Sequence, residues 1–244
     1  MSKPTTELIL ITGFLSSGKT TFLQEGIEGL EQSNAAIVIN EQGQFKASVG
    51  FCNQSSVMGS SFLTTIDSML GRHYDYILAE TSGLAQPWVL NQLVNDAEQR
   101  NLGKLRFRGM ICVIDGLRFL KLFSSVVSMY EQAAYADCFV LTKTDLANSE
   151  DLIRIKNILR MIRPMAPVFI REKTLFSFKT ILSRMCGTSL GFEASQKSSE
   201  KKSFKNIGKK PKSTTLIPET PVSREHLEIF LTKMAPKTFI SGLP

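Results

Sequence analysis

Leu8-Ile-Leu-Ile-Thr-Gly13-Phe-Leu-Ser-Ser-Gly18-Lys19-Thr20-Thr21 decides how this chain folds. The apolar run Leu8 to Ile11 reads as a strand buried on both faces, because such a strand has no need of polar alternation. It passes directly into GxxxxGK[ST] and then into a helical pattern from Thr21 to about Leu30. Strand, glycine-rich turn and helix in that order make a phosphate-binding loop. Glycines let the backbone wrap an anion with its N–H groups turned inward, and the helix N-terminus adds partial positive charge. Gly13, Ser16, Ser17, Gly18, Lys19, Thr20 and Thr21 are therefore candidate nucleotide-binding residues, with Lys19 reaching the outer phosphates and the Thr20 hydroxyl ligating Mg²⁺. The plainer alternative is a glycine-rich structural turn.

Working outward, Ala36-Ile-Val-Ile-Asn40 reads as a second strand, followed by Glu41-Gln-Gly43 and a polar stretch to about Ser61. Ligands of α/β sheets sit beyond the carboxyl ends of the strands, so Glu41, just past strand two, is a candidate for Mg²⁺ or water contact, against simple solvent exposure. Phe62 to Leu70 has helical spacing of its apolar residues. Tyr74 to Ala79 is a third strand that delivers Glu80-Thr-Ser-Gly83, a candidate Mg²⁺ carboxylate at Glu80 and a glycine whose N–H suits a γ-phosphate at Gly83. Pro87 fits the first turn of the next helix. Phe107 to Gly116 is a further strand, with Asp115 read as no more than its polar end, and Leu117 to Ser128 a helix. Asp137 to Leu146 then brings Thr142-Lys-Thr-Asp145 to the same sheet edge. A carboxylate at Asp145 can accept from both N1–H and the exocyclic amine of guanine, a donor pair adenine lacks, and the Lys143 stem can lie along the base. A helix from Ser149 to Ile162, a strand from Pro167 to Ile170 and a helix near Leu175 to Cys186 complete an alternating pattern. The expected fold is α/β, a mainly parallel doubly wound sheet of the P-loop NTPase type.

Composition agrees. A chain of 244 residues, 43% hydrophobic and 21% charged, suits one α/β domain and a smaller appendage. No apolar run approaches the ~20 residues of a bilayer span, and the start enters the first strand without an apolar leader, so a cytoplasmic protein is expected. The four cysteines have no CxxC spacing. Cys112 and Cys138 fall in core strands, Cys186 in a helix, and Cys52 in a loop where reactivity is worth testing. Seven Lys against one Glu between Gln196 and Ser213 carry +6 of the net charge of +7. That segment reads as a solvated linker prone to proteolysis; it has no aromatic interleaving, and a nucleic-acid partner is not expected.

Gly13-Phe-Leu-Ser-Ser-Gly-Lys-Thr-Thr21, Val38-Ile-Asn-Glu-Gln-Gly43, Ala79-Glu-Thr-Ser-Gly-Leu-Ala-Gln-Pro87, Val113-Ile-Asp115 and Val140-Leu-Thr-Lys-Thr-Asp-Leu146 together resemble the CobW-like GTPases, relatives of the urease and hydrogenase accessory proteins. The resemblance covers about Leu8 to Ile170. It implies bound GTP and Mg²⁺, a guanine reader at Thr142, Lys143 and Asp145, and a metalloenzyme or corrinoid-protein client. The tail from Arg224 to Gly242 resembles the opening helix and strand of that family's C-terminal domain. The expected organisation is a GTPase domain over 1–190, a basic linker over 191–222 and a C-terminal remnant over 223–244. Three departures stand out. Gln42 and Ala47-Ser48 replace the family's Phe and Ile-Asp, and Thr142 replaces an Asn, which weakens one polar contact. The family's Cys-x-Cys-Cys metal motif should fall near Met58 to Leu63, where Ser60, Ser61, Phe62 and Leu63 stand.

These readings point to a GTP-binding, slowly GTP-hydrolysing switch assisting a metalloprotein client, with Lys19, Glu41 and Glu80 as the catalytic candidates. A homodimer is left open. The alternatives are an adaptor that holds nucleotide without useful turnover, a metallochaperone for zinc or cobalt if a non-standard metal site exists, and a small-molecule kinase, against which the segment ending at Asp145 argues.

Overall fold

A computed structural model of the chain describes residues 5–30, 33–41, 44–49, 57–59, 62–171, 178–185 and 223, of which 40–41, 44–49 and 57–59 are described by backbone alone. The basic linker, the C-terminal remnant apart from Ser223, Cys52 and Cys186 lie outside these residues. The chain divides into two units, Met1–Lys210 and Pro211–Pro244, and every element described belongs to the first.

That unit alternates strands and helices: β1 (Thr6–Thr12), α1 (Lys19–Glu28), β2 (Ala35–Glu41), β3 (Gln44–Val49), β4 (Val57–Gly59), α2 (Phe62–Leu70), β5 (Tyr76–Glu80), α3 (Pro87–Arg100), β6 (Leu105–Asp115), α4 (Phe119–Phe123), α5 (Val127–Ala134), β7 (Cys138–Thr142), α6 (Ser149–Ile162), β8 (Val168–Ile170) and α7 (Phe178–Arg184), with a 3₁₀ turn at Thr144–Leu146. The strands form one sheet in the order β4-β3-β2-β5-β1-β6-β7-β8. From β2 to β8 all pairings are parallel. β1 sits in the middle because its side chains are apolar in both directions. Leu8 and Leu10 join the core beneath α2 and α3, while Ile9 and Ile11 join the core beneath α1 and α7. All four are fully buried, each contributing about 1.5–3 kcal/mol by removal from water.

Two expectations are corrected. The stretch expected as polar loop between Glu41 and Ser61 contains β3, antiparallel to β2, and β4, antiparallel to β3. Gln44-Phe-Lys-Ala-Ser-Val49 alternates polar with apolar residues, the pattern of a half-covered antiparallel strand, and its polar content masked that period. Glu41 is accordingly the last residue of β2, paired with Gln44, and not a residue beyond the strand.

The helix expected over Leu117 to Ser128 is two helices, α4 and α5, the second running on to Ala134. The break occurs where the Leu122 carbonyl accepts from three donors, Ser125 N–H, Ser125 Oγ and Val126 N–H, so the ladder cannot continue. β-Branched Val126 then adopts an extended backbone as the N-cap of α5. Among the described residues no helix is long and apolar enough to cross a membrane.

Candidate nucleotide site

The carboxyl ends of β1, β5, β6 and β7 lie at one edge of the sheet, with Ile11 opposite Glu80, Thr12 opposite Cys112 and Asp115 opposite Thr142. Residues far apart in sequence therefore converge around the loop between β1 and α1. Gly13 opens the loop at φ 141°. A Cβ there would lie 2.3 Å from the Val113 carbonyl oxygen on β6, so both the conformation and the close strand contact require glycine. Ser16 and Gly18 also have positive φ, 59° and 92°. Together these residues curl the loop back on itself before Phe22 N–H bonds Gly18 carbonyl in the first helical turn.

Lys19 folds over this loop and donates to the carbonyls of Gly13 at 3.0 Å and Phe14 at 3.1 Å. It is 6% exposed. Burial pulls its ammonium below the ordinary lysine value, opposed by the nearby Glu80 carboxylate and more weakly by Cys112. A buried cation whose hydrogen bonds go to neutral carbonyls gains from an anion in the loop.

Thr20, next in sequence, donates its hydroxyl to Glu80, 2.9 Å from one carboxylate oxygen and 3.1 Å from the other. Glu80 is 9% exposed at the end of β5. This hydroxyl and carboxylate are a hard oxygen pair of the type Mg²⁺ accepts, so the residues present fit the ion that the resemblance implies. The side chain of Glu41 is not among those described, and Thr21 lies exposed on α1.

After Glu80, Thr81 is fixed to β1, its N–H and hydroxyl both directed at the Ile11 carbonyl. Gly83 then passes so near the loop that a Cβ would lie 2.8 Å from Leu15 N. Its carbonyl accepts from Gln132 Nε2 on α5 at 3.0 Å.

The segment after β7 is tied to the loop at two points. Thr142 is fully buried and its hydroxyl lies 2.7 Å from the Ser17 carbonyl and 3.2 Å from that of Ile114. A threonine in place of asparagine thus still joins this segment to the phosphate loop. Its side chain meets the loop backbone. Lys143, left-handed at φ 52°, donates from Nζ to the Ser16 carbonyl and to Asp115, both at 2.7 Å. Asp145 stands exposed in the 3₁₀ turn, with no hydrogen-bond partner among the described residues.

Two residues were missed as parts of the site. Asp115 is more than a polar strand end. One oxygen accepts from Leu117 N–H and Arg118 N–H while the other pairs with Lys143, so it joins β6, α4 and β7. An acid followed by glycine at the end of a strand neighbouring the lysine was the available signal. Gln132 carried none, being 49 positions from the glycine it bonds.

The model of the CobW/HypB/UreG nucleotide-binding domain matches residues 7–170, which is most of the unit just described. The chain belongs to the CobW/HypB/UreG family. Within that family it is 27% identical over 184 residues to the zinc-regulated GTPase metalloprotein activator 1 of Schizosaccharomyces pombe, covering 65% of this chain and 44% of that protein. It is 26% identical over 182 residues to the zinc chaperone YjiA of Escherichia coli, covering 66% and 55%. The crystal structure of Zn(II)-bound YjiA GTPase from E. coli superposes with a TM-score of 0.59 at 21% identity, over 77% of this chain and 63% of that one, and shares the P-loop fold. The chain spans about half the length of the curated relatives it matches.

The two thiols among the described residues are held in the protonated form by burial. Cys112 and Cys138 are free and buried. Burial pushes Cys112 up to about 12, only partly opposed by Lys19. Among the described residues no group of three or more His, Cys, Asp or Glu could hold a metal ion.

Proposed function

We propose that this protein is a GTP-binding switch that hydrolyses GTP slowly with Mg²⁺ and changes its grip on a metalloenzyme or corrinoid-protein client as it does so. The observation that carries the reading is the joining of the phosphate loop to the segment Thr142 to Asp145 through Ser16 and Ser17. A loop that holds phosphates and an acid that reads guanine must keep a fixed distance, and those bonds fix both ends to one backbone. Thr20 and Glu80 would hold Mg²⁺, with Glu41 as a further candidate at the end of β2. The ion would supply positive charge to offset that of the phosphates. Lys19 does the same from the loop side.

Guanine selection would rest on Asp145. With Mg²⁺ present, GTP should bind in preference to ATP, and Asp145→Asn should weaken GTP while improving xanthosine triphosphate, whose O2 can accept from the new amide. Titration with the three nucleotides checks this, and equal binding of ATP and GTP by the unaltered protein overturns it. Single-turnover hydrolysis with and without a co-purified client separates a switch from an adaptor without turnover.

The relatives' names favour a second reading, zinc carriage, with zinc as cargo. Against it, Phe62, at a position where the family resemblance expects the thiolate motif, is 3% exposed and packed in the core beneath α2. A phenyl ring is no ligand for zinc. The Mg²⁺-GTP form should therefore surrender zinc to a strong chromophoric chelator. Stoichiometric retention lost in Cys52→Ser would restore the carrier.

A further inference from the structure

Gln132 is a buried side chain whose hydrogen bonding is half complete. It is 1% exposed on α5, and its Nε2 donates to the Gly83 carbonyl, yet its Oε1 has no partner among the described residues. Leaving a buried acceptor unpaired destabilises a fold, and an apolar residue of the same shape avoids that cost. The neighbouring Met129 and Ala133 on the same helix are ordinary core residues. The unpaired acceptor therefore gives no reason for an amide at position 132.

Its partner supplies one. The segment from Glu80 is anchored at Thr81 by two bonds to Ile11, and Gly83 is packed against the backbone of Leu15 in the phosphate loop. Between those anchors and α3, the described side chain bonded to Gly83 is Gln132. The unpaired Oε1 belongs to a residue that lines a small pocket together with Phe14, Leu15 and Ser17 of the loop. Ser17 Oγ, 1% exposed and also unpartnered among the described residues, belongs to the same lining. The amide thus has a fixed partner at Nε2 and an uncommitted acceptor at Oε1, on the side of the loop.

We propose that Gln132 is a positioning residue that holds Gly83 ready for the γ-phosphate and carries its movement to α5. The inference rests on the GTP reading above. A triphosphate that bonds the Gly83 N–H acts on the same segment whose carbonyl Gln132 holds, whereas a diphosphate does not reach it. Gln132 consequently sets the preference for triphosphate over diphosphate and leaves the loop's grip on the shared phosphates untouched. When Gly83 moves, the hydrogen bond from Gln132 carries the movement to α5.

The test is titration of the full chain with GDP and with the non-hydrolysable β,γ-imido analogue of GTP, in Mg²⁺, for the unaltered protein and for Gln132→Met and Gln132→Glu. Methionine removes both polar atoms at similar volume; glutamate keeps the shape and removes the N–H donor. The analogue should weaken about fivefold in both variants, the equivalent of one lost hydrogen bond, with GDP affinity unchanged. The melting temperature of Gln132→Met should stay close to that of the unaltered protein, the loss of the Gly83 bond being offset by removal of the unpaired acceptor. A folded variant with an unaltered ratio of the two affinities, or with both nucleotides weakened equally, overturns the proposal while leaving the GTP reading in place. An unaltered protein that binds neither nucleotide overturns both.

Discussion

At the scale of single residues, the site concentrates opposed requirements on a few buried charges. Lys19 is held by loop carbonyls in a place that penalises its charge, so its removal should cost binding and not folding. Lys19→Ala should lose about 100-fold in guanine-nucleotide affinity, the worth of its charge-assisted bonds to phosphate, with a melting temperature equal to or above that of the unaltered protein. Calorimetric titration and thermal denaturation check the two halves separately. At the opposite end of β7, Asp137 accepts from Met110 N–H at 2.7 Å and lies 3.8 Å from the Arg163 guanidinium. Burial raises its carboxyl to about 6, against 3.8 ordinarily; the Met110 N–H and Arg163 only partly oppose this. The folded state thus holds this proton more tightly than the unfolded chain. Its contribution to stability is full below about 3.8 and is lost as pH rises through about 6. That gap, at about 1.4 kcal/mol per pH unit, bounds the loss at about 3 kcal/mol. Asp137→Asn keeps the acceptor for Met110 without the charge. The variant's melting temperature relative to the unaltered protein should rise steadily between pH 4 and 7, and a pH-independent difference would count against the buried carboxyl.

At the scale of elements, the sheet edge behaves as one unit because Asp115 connects three of its parts. Asp115→Asn retains the acceptor that caps the entry to α4, through Leu117 and Arg118, but weakens the hold on Lys143. Guanine-nucleotide affinity should fall about five- to tenfold, with the helical signal in circular dichroism unchanged; fluorescent-nucleotide titration gives the first quantity. The elements differ sharply in how far they could be read in advance. β1, β5, β6 and β7 were legible because doubly covered strands are continuous apolar runs, and α6 because its apolar residues recur at helical spacing. β3 was not, since its period is carried by only three apolar residues among polar ones. The α4–α5 break was not, because both halves have helical composition and the interruption lies in competing donors to one carbonyl. Of the site, the contiguous parts from Gly13 to Thr21, Glu80 to Gly83 and Thr142 to Asp145 could be read as motifs. Asp115 and Gln132 act through contacts across the fold, and no local pattern announces them.

At the scale of the molecule, loop, sheet edge and overlying helices form one cooperative body over β1 to α7, so nucleotide binding should be visible as global stability. Mg²⁺ and GDP at about 100 times the dissociation constant should add about 2.7 kcal/mol, raising the melting temperature of a unit this size by about 5–10 °C; ATP at equal concentration should raise it far less. Differential scanning fluorimetry reads both. The strand order has a consequence in time as well. β1 is synthesised before the other strands yet occupies the middle of the sheet, between β5 and β6. Its second neighbour is complete only when the chain has grown by about 100 residues, which at ribosomal rates takes on the order of 5–20 s. Through that interval Leu8 to Ile11 carry an unpaired backbone edge. The stretch that makes the nucleotide site is therefore the part of the nascent chain most exposed to aggregation, and the one a ribosome-associated chaperone has most reason to cover.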